Sequence, residues 1–169
     1  FVSTHGGAFY RSTTGGTSFS SLSTSGCDWA SPIAMDPSNH NNMYVGGSGI
    51  SKSTNNGASW SNLSGSFDGT CMYSIEVAPS NSSYVYAATF GHIYRTINGG
   101  TSWSNITGSL PVSGAAITNM TVSSSNPDAV WVSFSGFNAA NKVFYSSNGG
   151  GAWTNVSTGL PNVPVNCVE

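Results

Sequence analysis

Charge is what this sequence has least of. Lysine, arginine, aspartate and glutamate together make up 6% of its 169 residues, against about 25% in an ordinary soluble domain. Four basic residues against six acidic ones leave a net charge of −2. So few cations cannot form a basic patch, which excludes nucleic acid and an anionic membrane surface as partners. No apolar run approaches the roughly 20 residues that cross a bilayer, so membrane insertion is excluded as well. Three cysteines are too few for a disulfide-built scaffold, and helical periodicity is missing throughout. His5, His40 and His92 lack metal-ligand spacing, and no Ser, His and acid set stands out among so many serines. Neither metal, cofactor nor catalytic nucleophile is therefore expected.

What the chain has in abundance is one short motif. Thr96-Ile97-Asn98-Gly99-Gly100-Thr101-Ser102-Trp103 recurs, weakly altered, at Ser12 to Phe19, Ser53 to Trp60 and Ser146 to Trp153. From Phe19 to Trp60 to Trp103 to Trp153 the spacings are 41, 43 and 50 residues, the period of a four-stranded blade. The motif reads as a tight hairpin. Asn55, Asn98 and Asn148 can hydrogen-bond their own backbone, glycine accepts positive φ, and Phe19, Trp60, Trp103 and Trp153 re-enter the sheet as buried anchors.

The pattern Ser/Thr, any, Asp, any, Gly, any, Ser/Thr, Trp/Phe is the Asp-box of bacterial-neuraminidase-type (BNR) repeats, and the sequence resembles that family over essentially its whole length. Thr14, Asn55, Asn98 and Asn148 stand where the box has Asp, which removes charge and keeps a turn-forming side chain. The resemblance implies an all-β fold: a β-propeller of four-stranded antiparallel blades, in which the box is a folding element and not a catalytic one.

Aligned on the hairpin, each repeat has the same order. Ile33 to Pro37, Ser74 to Pro79 and Asn119 to Ser123 read as first strands; Met43 to Gly46, Tyr84 to Ala88 and Val130 to Phe134 as second; Ile50 to Lys52, Ile93 to Arg95 and Val143 to Tyr145 as third; Trp60 to Leu63, Trp103 to Ile106 and Trp153 to Val156 as fourth. Pro- and Asn-rich connectors join first to second strands. The expected organisation is a part blade over 1–26, blades over about 27–66, 67–111 and 112–161, and the start of another over 162–169. The chain opens in the middle of a strand, so its natural start is expected upstream, and the remaining blades of the same chain, or another subunit, are its expected partners. Cys27 and Cys71 precede successive repeats at nearly matching places, which leaves an inter-blade disulfide and two buried thiols both open; Cys167 reads as part of a later strand.

In such a blade, hairpins and Pro-containing connectors share one face, while blade-to-blade links and second-to-third-strand turns share the other. The second face collects the candidate ligand-binding residues Asp28, Trp29, Asp68, Tyr73, Phe90, His92 and Phe137. Aromatics beside Asp and Asn suit the apolar faces and hydroxyl edges of sugars. Glycoside hydrolysis needs two carboxyl groups, and Asp28 with Asp68 is the acidic pair on that face. Sialidases, which share the repeat, need an arginine cluster, whereas Arg11 and Arg95 lie beside hairpins. In xyloglucan-active endoglucanases the resemblance places a catalytic Asp in a second-to-third-strand turn before a Gly-Gly pair, and Ser3-Thr4-His5-Gly6-Gly7 has His5 there. No catalytic residue is therefore assigned. The expectation is a non-catalytic extracellular or cell-surface module, a structural scaffold or an adhesion and glycan- or protein-binding platform within a larger secreted protein. A segment of a xyloglucanase-like hydrolase and a sortilin-type receptor propeller are the alternatives.

Overall fold

The computed structural model describes residues 1–22, 24, 27, 31–138 and 140–169. Its strands fall into four antiparallel sheets. The first holds β1 (Val2–Ser3), β2 (Phe9–Arg11) and β3 (Ser20–Ser21); the second β4 (Ile33–Met35), β5 (Met43–Gly46), β6 (Ile50–Ser53) and β7 (Ser61–Asn62). The third holds β8 (Ser74–Val77), β9 (Val85–Ala88), β10 (Ile93–Thr96) and β11 (Ser104–Asn105); the fourth β12 (Ile117–Val122), β13 (Val130–Phe134), β14 (Val143–Ser146) and β15 (Thr154–Asn155). Within every sheet the strands lie in chain order. Each sheet is thus an up-and-down blade, and β8 packs against β4 and β12, so the first strands are innermost.

Burial follows position in the blade. β5 and β9 are buried at every residue, sandwiched between neighbouring blades, while the two-residue β7, β11 and β15 at the rim are exposed. The apolar core lies between blades: Tyr86, Ala88 and Ile93 of the third sheet meet Met120, Val122, Val130 and Val132 of the fourth.

The four hairpins share one hydrogen-bond network, which explains why the motif repeats. The first hydroxyl accepts from the second glycine, as in Gly57 N–H to Ser53 Oγ at 2.8 Å, Gly100 to Thr96 at 2.9 Å, Gly150 to Ser146 at 2.8 Å and Gly16 to Ser12 at 2.8 Å. The third side chain then accepts from the residue four further on: Ser59 N–H to Asn55 at 2.9 Å, Ser102 to Asn98 at 2.9 Å and Ala152 to Asn148 at 2.8 Å. Thr14 Oγ1 does the same for Ser18 N–H at 3.0 Å, so a hydroxyl substitutes for the amide oxygen. Of the anchors, Trp60, Trp103 and Trp153 are partly buried, and Phe19 departs from expectation at 49% exposed, with none of the interblade ring packing among the described residues that holds Trp103 and Trp153.

Two sequence readings of cysteine separate here. Cys27 and Cys71 form a disulfide, with Cα atoms 5.8 Å apart. Cys167, read as part of a strand, is exposed in a segment outside the strands, held to the fourth sheet by Val165 N–H to Phe134 O at 3.2 Å and Val168 N–H to Asn119 Oδ1 at 3.2 Å.

Glu76, on the inner strand β8, faces its cross-strand partner Tyr86 across the buried side of the blade. Burial pushes its carboxyl up to about 7. A folded-state value above the unfolded one means that folding takes up a proton between about pH 4.5 and 7, so this group's contribution falls as pH rises through that window. The loss is on the order of 2 kcal/mol, reduced from the full shift because the side chain is not wholly enclosed. Melting curves from pH 5 to 8 should therefore show a decline in the wild type that Glu76→Gln lacks; parallel curves would contradict the assignment.

Candidate functional site

The turn face is built from the link that enters the third sheet and the turn between β9 and β10. The link is fixed at several points. Thr70 donates to Asp68 Oδ1 through its N–H at 3.0 Å and its hydroxyl at 2.7 Å, and Gly69 takes φ +82°. The Cys27–Cys71 bridge then ties the link to the chain ahead of β4, Met72 N–H reaches Gly47 O at 2.9 Å, and Tyr73 N–H reaches Ala88 O at 2.7 Å. Phe67 stacks on Tyr94 at 4.3 Å and meets Trp103 edge-on at 5.4 Å.

The turn closes by Thr89 N–H to His92 O at 2.9 Å, and Phe90 O accepts from Ile117 N–H at 3.0 Å, which locks the turn to the next blade. The buried Thr89 hydroxyl accepts from His92 N–H at 3.1 Å and donates to Asp68 Oδ2 at 2.8 Å. His92 Nδ1 lies 2.8 Å from the same oxygen. Burial alone would raise the Asp68 pKa, but the hydrogen bonds from Thr70, Thr89 and His92 outweigh it and hold the carboxyl at about 2. Asp68 is therefore ionised at any ordinary pH, Nδ1 donates to it, and the His92 side chain is 46% exposed. Beside it the Tyr73 and Phe90 rings stand 3.7 Å apart, with Phe90 46% exposed.

Of the residues singled out by sequence, Asp68, Tyr73, Phe90 and His92 are thus brought together. Phe137 stands 74% exposed on the corresponding turn of the fourth sheet, and Asp28 and Trp29 lie outside the described residues. The supporting hydroxyls were not singled out. Asp68-Gly69-Thr70 carries a local signal, an Asp followed two residues on by a hydroxyl. Thr89 carries none, because its partner Asp68 is far away in the chain and close only in the fold.

Three other described acids are held elsewhere. Asp36 is buried in its own turn, accepting from Ser38 N–H and Oγ–H, Asn39 N–H and Asn42 Nδ2–H. Asp128 pairs with Arg95 at 3.2 Å beside a hairpin, and Glu76 lies within β8. Among the described residues no group of three metal-binding side chains forms.

Antiparallel four-stranded blades packed around inner strands, with hairpins on one face and a polar, aromatic site on the other, define a β-propeller protein. The chain belongs to the Sortilin-Vps10 family, whose description, Sortilin, neurotensin receptor 3, matches residues 48–165.

Solved structures agree on the fold. An ancestral GH74 enzyme superposes with a TM-score of 0.69 at 23% identity, covering 91% of this chain and 22% of that one. The GH74 xyloglucanase from Xanthomonas campestris gives 0.73 at 16% identity, covering 95% and 28%. YCF48 bound to D1 peptide gives 0.55 at 12% identity, covering 73% and 39%. The chain thus spans less than half the length of each. No curated protein matches it. No helix among the described residues is long and apolar enough to cross a membrane.

Proposed function

We propose that this chain is a non-catalytic platform of an extracellular or cell-surface protein, its hairpins serving as Asp-box folding elements and its turn face binding a neutral glycan. The observation that carries the reading is the commitment of Asp68. Its two oxygens take four hydrogen bonds, and a carboxyl held at about 2 is far from the value a general acid or base needs at neutral pH. What remains for a ligand is His92 Nε2, which can accept from a sugar hydroxyl, and the Tyr73–Phe90 pair, which offers an apolar face. A disulfide accords with an oxidising compartment, and the near absence of charge suits an uncharged ligand. The hydrolase reading requires a second carboxylate beside the first; of the described acids, Asp36 is engaged in its own turn, Asp128 pairs with Arg95, and Glu76 lies within β8.

Titration calorimetry with neutral oligosaccharides, alongside an assay for released reducing ends, tests this. Binding without cleavage is expected, weakened at least about tenfold in His92→Ala and in Phe90→Ala, a loss of about 1.4 kcal/mol or more. Cleavage, or binding unchanged in both variants, would remove the reading.

A further inference from the structure

The last residue of each rim strand occupies one repeated place. Ser21, Asn62, Asn105 and Asn155 end β3, β7, β11 and β15, pair with Tyr10, Ser51, Tyr94 and Phe144 of the neighbouring strand, and are exposed. The next N–H closes the ladder in all four: Leu22 to Phe9 O, Leu63 to Ile50 O and Ile106 to Ile93 O at 2.8 Å, and Val156 to Val143 O at 2.9 Å. Ser21 ends its strand as well as the asparagines end theirs, so the strand itself does not need an amide at this place.

The asparagines open the triplets Asn62-Leu63-Ser64, Asn105-Ile106-Thr107 and Asn155-Val156-Ser157, each of which fits the N-glycosylation pattern Asn, any residue but Pro, Ser/Thr. Folding accounts for the hydroxyls. Those of Ser64, Thr107 and Ser157 accept from the N–H of Ile50 at 3.1 Å, Ile93 at 2.9 Å and Val143 at 3.0 Å. The amides divide into two kinds. Asn62 Oδ1 accepts from Ser51 Oγ–H at 3.1 Å and Asn105 Oδ1 from Thr107 N–H at 2.9 Å, while the Nδ2 of neither makes a hydrogen bond among the described residues. Asn155 Nδ2, by contrast, donates to Ala140 O of the β13–β14 turn.

We propose that Asn62 and Asn105 are acceptors of N-linked glycans and that Asn155 is not. The donor is a lipid-diphosphate-linked oligosaccharide: Nδ2 bonds to the anomeric carbon of its reducing-end sugar, the lipid diphosphate leaves, and the amide nitrogen gives up one proton. The fold carries such a group without losing a blade contact, because Asn62 and Asn105 are exposed on the rim while Leu63 and Ile106 between amide and hydroxyl pack into the two apolar clusters. The Cys27–Cys71 disulfide accords with the oxidising compartment in which secreted chains meet that donor. The modification is independent of the turn-face ligand, since it uses the rim strands.

Glycopeptide mass spectrometry of the protein purified from its own cells, after chymotryptic digestion, reads each position separately. A glycan is expected on Asn62 and on Asn105, with Asn155 carrying an unmodified amide. Asn62→Gln and Asn105→Gln, made in the same cells, keep the side-chain amide and the strand; each should lose one glycan from the intact mass, and the double variant should lose both while melting as a folded protein. Unmodified Asn62 and Asn105 in the native protein overturn the proposal. Equal occupancy of all three asparagines overturns it as well, since the hydrogen bond at Asn155 would then select nothing.

Discussion

Gly150→Ala is expected to lower stability by about 3–4 kcal/mol, whereas Gly16→Ala should cost only about 1–2 kcal/mol. The two positions share the hairpin role, the donated N–H and nearly the same φ, +89° and +90°. Forcing a Cβ into positive φ costs roughly 1–2 kcal/mol at either. At Gly150 the new methyl would also press on Ile106, with its Cβ 2.8 Å and its Cδ1 2.5 Å away. Such overpacking adds about 1–3 kcal/mol. The neighbour is anchored at its branched carbon and cannot simply swing aside. For a chain of this size each kcal/mol shifts the melting temperature by roughly 2–4 °C, so the variants should separate by several degrees. Equal shifts would mean that the glycines are retained for backbone conformation alone, and that the blades do not lock through them.

Trp103→Ala should cost about 3 kcal/mol, while Trp103→Phe should cost almost nothing. The ring packs against Phe67 and joins the cluster of Tyr44, Ile50, Met72, Ile75 and Val77, so truncation opens a void of aromatic size. Its Nε1–H, by contrast, is buried without an acceptor. Replacement by phenylalanine removes a desolvated donor and offsets the lost area. Trp153 provides the control, because its indole donates to Ile106 O across the blade boundary; Trp153→Phe should lose about 1 kcal/mol. Chemical denaturation of these variants gives the comparison. A Trp103→Phe loss as large as that of Trp103→Ala would show that the indole nitrogen, and not the ring, is what the site needs.

The turn-face chemistry adds a contrast between two carboxyls. Asp68 meets four donors and is held down, whereas Glu76 meets none that offsets burial and is pushed up. One is ready to orient an imidazole, the other titrates near neutrality. Residue type and spacing do not distinguish them; the surroundings do.

The strand and hairpin pattern was legible because each element is decided by residues close in the chain. Alternation set the strands of the second, third and fourth sheets to within a residue or two. The hairpin bonds reach no further than the fourth residue along, so four copies of one motif carried four copies of one network. The face on which Asp68, Tyr73, Phe90 and His92 lie followed from the same alternation of turns. Their partners did not. Asp68 reads in the sequence as half of an acidic pair, and folding gives it His92, because the link and the turn meet only once the third sheet has formed. The Cys27–Cys71 bridge and the half-exposed Phe19 belong to the same class. Each depends on which blade lies beside which, a contact between segments well separated in the chain. Local hydrogen bonding and side-chain alternation decide what a segment becomes; only the packing of one blade on the next decides which side chains meet.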